Sequence, residues 1–144
     1  MKFVEGMQTQ NGFSAELRLT TDKAIFEEIT PNPAHLEPVE FVRRGASIYT
    51  VVIFANAATR LGKVDLKYDI VIRRPDGSVY GEGKSIDGWR NRAPATAGLV
   101  HVATNTVKIQ IDPEDPNGKY VVAADIHDNA RKVTIHCEQA FVVR

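Results

Sequence analysis

The chain alternates between apolar and polar positions. In "VDLKYDIVIR" (64–73), Val64, Leu66, Tyr68, Ile70 and Ile72 share one side, and Asp65, Lys67, Asp69 and Arg73 share the other. A repeat of two is the period of a β-strand with one buried face. "KYVVAADIHD" (119–128) repeats it through Tyr120, Val122, Ala124 and Ile126. "KVTIHCEQAFVV" (132–143) does so through Val133, Ile135, Cys137, Phe141 and Val143, with Gln139 as the one interruption. "FSAELRL" (13–19) and "LVHVATNTVKIQI" (99–111) also alternate. "ASIYTVVIFA" (46–55) is apolar on both faces, which predicts a central strand.

Turn residues punctuate these runs. "RPDGS" (74–78) and "DPEDPNG" (112–118) combine proline, which fixes φ, with glycine, which accepts positive φ. "HDNAR" (127–131) is a short polar link between the last two strands. "TDKAIFEEIT" (21–30) fits one helical turn or a short strand, and Pro31, Pro33 and Pro38 make 31–38 an irregular connection. No helical stripe of useful length appears. Several short strands separated by turns predict an antiparallel all-β fold. Hairpins of unequal length and a long connection at 84–98 favour a two-layer, immunoglobulin-like sandwich over a small closed barrel. The expected organisation is a short N-terminal extension, 1–12, followed by one domain over 13–144.

Composition narrows the function classes. The 144 residues carry 18 basic and 18 acidic side chains, a formal net charge of zero. A dedicated nucleic-acid binder carries a basic excess, so no nucleic-acid partner is expected. No apolar run reaches the ~18 residues of a membrane helix, so no membrane span is expected. The first twelve residues, "MKFVEGMQTQNG", lack the apolar core of a signal peptide. That leaves two expectations: a cytoplasmic chain, or one read from beyond a cleavage site. The single cysteine, Cys137, excludes an internal disulfide.

The order "LTTDKAIF" (19–26), "PDGSVYGE" (75–82), "DPNGKYVVAADIHD" (115–128) and terminal "AFVV" (140–143) resembles bacterial immunoglobulin-like and macroglobulin-type sandwich modules. It is also similar to small secreted proteobacterial proteins of unknown function. The resemblance covers about 20–143 and implies a fold and a periplasmic or secreted setting. It implies no reaction.

The acidic stretch 111–130 fails as an EF-hand loop. Aligned on Gly118, it has Asp115 and Asn117 in acceptable places, but Pro113 at the first ligand position and Ala124 at the bidentate one. It reads as a turn that starts a strand. If 121–127 and 132–138 pair, Asp125 and His127 share a face with Lys132, Thr134, His136 and Glu138. Histidine and carboxylate ligands on neighbouring strands suit a divalent metal, and so a small metal-dependent enzyme. A solvated outer face of mixed charge accounts for the same pattern and is preferred. Cys137 shares its face with Val133, Ile135 and Phe141, so it is expected to be a buried, inert thiol rather than a nucleophile paired with His136, His127 or His101. "GEGKS" (81–85) lacks phosphate-loop spacing and reads as a loop.

No catalytic, cofactor-binding or metal-ligating set is therefore expected, and the chain reads as a non-enzymatic binding or accessory module. The favoured contact is the loop "SIDGWRNRAP" (85–94), where Trp89, the only tryptophan, sits beside Arg90 and Arg92. Tryptophan and arginine are enriched at the centres of protein interfaces. The competing reading makes Trp89 a cap on the open end of the sandwich.

Overall fold

The computed structural model describes residues 7–21, 39–89 and 100–144. The two prolines at 31 and 33, the segment 22–38, and the arginines at 90 and 92 lie outside them.

Two sheets form the domain. The first holds β1 (Gln8–Gln10), β2 (Phe13–Thr20), β4 (Ser47–Ala55), β9 (Val100–Val102) and β10 (Val107–Gln110). β4 is its centre, flanked by β2 on one side and by β9 and β10 on the other. The second runs β3 (Phe41–Val42), β12 (Val133–Val143), β11 (Gly118–Asp128), β7 (Leu66–Arg73), β8 (Val79–Asp87). A small hairpin of β5 (Thr59–Arg60) and β6 (Lys63–Val64) lies apart. Among the described residues all pairings are antiparallel except β3 with β12. β2–β4–β10 correspond to strands A–B–E of an immunoglobulin fold, and β7–β11–β12 to C–F–G, with β8 in the C′ place.

The alternating residues do what their period dictates. Leu66, Tyr68, Ile70 and Ile72 of β7, Tyr120, Val122, Ala124 and Ile126 of β11, and Val133, Ile135, Cys137, Phe141 and Val143 of β12 meet Phe13, Ala15, Leu17, Ile48, Val52 and Phe54 in one core. β4 is apolar on both faces because its outer face is also covered. Tyr49, Val51 and Ile53 form a second buried cluster beneath Met7, Val100 and Val102.

The turn at 112–117 is a tyrosine corner, the immunoglobulin device at the entry to strand F. The Tyr120 hydroxyl donates to the Pro116 carbonyl at 2.8 Å, and the ring is fully buried. It stacks on Phe141 at 5.3 Å and meets Tyr80 edge-on at 5.7 Å. Asp115 accepts hydrogen bonds from the Asp112 N–H at 2.7 Å and the Tyr80 hydroxyl at 2.5 Å. Gly118 has φ 134°, and a Cβ there would sit 2.8 Å from Pro75 in the β7–β8 turn. Both proline–glycine turns therefore pack at one pole, and the acidic residues tie backbone there.

Three expected boundaries move. The sheet begins at β1, ahead of residue 13, because Asn11 and Gly12 both take positive φ and close a tight hairpin. The run 99–111 is two strands, not one. Between them the Ala103 N–H bonds Val52 and the Thr104 N–H bonds Gly88, at 2.8 and 2.6 Å, so the chain steps off β4 and returns. "GEGKS" and the start of the expected 84–98 loop belong to β8, since Gly81, Glu82 and Gly83 pair with Ile72, Val71 and Ile70. The partner strand supplies the order that two glycines do not.

Candidate functional site

Trp89 follows directly on β8. Its indole packs edge-on against Phe54, with centroids 5.6 Å apart, and lies 5.3 Å from the His101 ring on β9. Phe54 is fully buried, whereas Trp89 is half-buried at the margin of the core. The preceding Gly88 is what permits this descent: a Cβ there would press 2.9 Å from Leu66. The structure thus places Trp89 at one end of the sandwich, fixed by aromatic contacts.

The second candidate is the outer face of the second sheet. The predicted hairpin forms, and its register pairs Asp125 with His136 and His127 with Thr134. Asp69 of β7 joins them, directly opposite Asp125. Sequence reasoning missed Asp69 because its neighbourhood depends on which strand lies beside β11. Its place on the polar face of "VDLKYDIVIR" was the only local signal.

Like charges opposite one another repel, and each of these carboxylates is answered by an imidazole. His136 Nδ1 lies 2.7 Å from Asp125, and its Nε2 lies 3.2 Å from Glu138. These two hydrogen bonds favour the imidazolium and raise the His136 pKa above its ordinary value. His127 Nε2 lies 3.1 Å from Asp69 Oδ2, and its Nδ1 lies 2.8 Å from Thr134 Oγ1. Asp69 Oδ1 accepts the Ser85 N–H at 2.7 Å, from a β8 residue with φ 52°. That backbone bond, and then His127, lower the Asp69 pKa. The imidazoles are saturated by neighbours on the face itself. Among the described residues no group of three or more His, Cys, Asp or Glu side chains is placed to hold a metal ion.

Cys137 is buried, and desolvation pushes its thiol up to about 11. The Gln8 amide lies 3.9 Å from its sulfur. Asp128 points inward and is fully buried. It accepts the Ala58 N–H at 2.9 Å and the Arg131 N–H at 3.3 Å, while the Arg131 guanidinium donates to the Asn56 carbonyl at 3.1 Å. This carboxylate is a knot between the β4–β5 connection and the β11–β12 turn.

No family model matches the sequence, and no curated protein is detectably similar to it. Solved structures are similar to the chain at low identity. A family 123 glycoside hydrolase from Clostridium perfringens superposes with a TM-score of 0.50 at 10% identity, over 92% of this chain and 27% of that one. The chain thus spans about a quarter of the hydrolase's length, and the likeness shows a fold alone. A Niemann-Pick type C2 protein from the Japanese carpenter ant gives 0.47 at 9% identity, over 90% and 89% of the two chains. The CARDB domain of PF1109 from Pyrococcus furiosus gives 0.46 at 10% identity over the whole of both.

Proposed function

We propose that this chain is a non-catalytic immunoglobulin-like module that binds a partner protein at the corner where β8 ends. Trp89 is the anchor, and Arg90 and Arg92 are the flanking cations. The observation that supports the reading is the state of Trp89: held against Phe54 and His101, yet half-buried rather than sealed in the core. An aromatic ring ordered before contact loses little entropy on binding, and loops on rigid β-scaffolds commonly carry recognition. Arginines beside it suit an acidic or aromatic patch on the partner. An extracytoplasmic setting goes with this reading, and the native gene start decides it.

The test is the immobilised domain exposed to extract of its source cells, beside its Trp89→Ala and Arg90→Ala/Arg92→Ala variants. The proposal expects one protein held by the parent, lost by both variants, with thermal midpoints nearly unchanged. If Trp89 is only a cap, Trp89→Ala costs about 3–5 kcal/mol, as buried tryptophans do, and capture is insensitive to the arginines. That result rejects the proposal.

A further inference from the structure

The outer face of the second sheet builds a relay across four strands. The backbone of β8 holds one oxygen of Asp69, at 2.7 Å from Ser85 N. The other oxygen holds His127 of β11 at 3.1 Å. The far nitrogen of His127 meets Thr134 Oγ1 of β12 at 2.8 Å. Asp69 is kept ionised by these contacts, and an ionised carboxylate only accepts. The His127 proton therefore sits on Nε2, and Nδ1 presents its lone pair to the Thr134 hydroxyl. A hydroxyl bonded to a base that a third group orients is the arrangement of an activated nucleophile. Thr134 is exposed and open to a reagent.

We infer that Thr134 is a base-assisted nucleophilic hydroxyl that takes an acyl group from small activated esters. Oγ1 attacks the acyl carbon and forms a new ester bond. The bond from that carbon to the leaving oxygen breaks, and its electron pair departs with that oxygen. The Thr134 proton passes to His127 Nδ1 and on to the leaving group. No oxidant or reductant is involved. Asp69 is a positioning residue that fixes the tautomer of His127. The product is an acyl-threonine ester.

The experiment treats the full chain with p-nitrophenyl acetate at neutral pH and follows acetylation of each residue by peptide mass spectrometry. Thr59 of β5, also exposed, is the internal reference. General-base assistance is worth about a hundredfold or more, so Thr134 is expected to acylate about a hundredfold faster than Thr59. His127→Gln removes that advantage. Asp69→Asn reduces it and shifts the His127 ¹⁵N resonances towards the Nδ1–H tautomer. Lysine acetylation stays the same in all three. Equal rates at Thr134 and Thr59, or an advantage that survives His127→Gln, overturn the inference and leave the contact as a cross-strand tie. If a variant fails to fold, the Thr134 to Thr59 ratio in the parent decides alone.

Discussion

Replacing Tyr120 by phenylalanine removes one oxygen and keeps the ring. The lost interaction is the 2.8 Å bond to the Pro116 carbonyl. The ring is fully buried between Phe141 and Tyr80, and it keeps its stack and its edge contact. Pro116 is exposed, so water replaces the hydroxyl at its carbonyl and no buried acceptor is orphaned. The cost is therefore a net hydrogen bond, about 1 kcal/mol, rather than a bond plus a desolvation penalty. In a domain of this size that lowers the thermal midpoint by roughly 3–4 °C. Tyr120→Ala, by contrast, opens a cavity under both turns and costs about 3–5 kcal/mol. Urea denaturation of the three proteins measures both numbers, and equal slopes show that the denatured states are comparable. A Tyr120→Phe domain as stable as the parent would refute the corner as a source of stability. A loss above about 3 kcal/mol would show that the hydroxyl organises the whole 112–118 turn.

Cys137 is expected to react slowly with a thiol reagent in the native state and at once in denaturant, because burial raises its pKa to about 11 and starves it of thiolate; rapid native labelling would contradict this. Asp128→Ala takes the acceptor from the part-buried Ala58 and Arg131 N–H groups, at about 1–3 kcal/mol, and the difference in denaturation midpoint reads it. His136 has a raised folded pKa, so its contribution is whole below its ordinary value and fades as pH climbs through the raised one. With a side chain 55% exposed, that contribution is below about 1 kcal/mol. Parent minus His136→Gln midpoints should therefore be largest in mild acid and shrink towards alkaline pH; a gap that widens instead would reverse the sign.

Hydrophobic patterning was enough to place four of the longer strands. "VDLKYDIVIR", "KYVVAADIHD" and "KVTIHCEQAFVV" lie over β7, β11 and β12, each with a core face that a one-residue slip would expose, and "ASIYTVVIFA" lies over β4, read from its unbroken apolar run. The same logic put Cys137 in the core and read 112–118 as a turn. Two other strands escaped it. β1 has three exposed residues and no face to reveal it; the Asn11–Gly12 pair was its one signal. β8 has an alternation blurred by two glycines and by register shifts, so its strand character comes from pairing with β7.

What the sequence determined alone is local: which residues face inward, where the chain turns, and that the fold is a two-layer β-sandwich. It also put Asp125, His127, Thr134 and His136 on one face of a hairpin, while the register that sets His127 against Thr134 and Asp125 against His136 came from the structure. What only the tertiary structure decided is which strands far apart in sequence lie side by side. β7 and β11 are separated in the chain by β8 and by two strands of the other sheet, yet their pairing sets Asp69 against His127 and opposite Asp125. Packing of the first sheet brings Phe54 and His101 to Trp89. Burial of the whole core selects those long-range pairings, and no window of the chain carries that energy by itself.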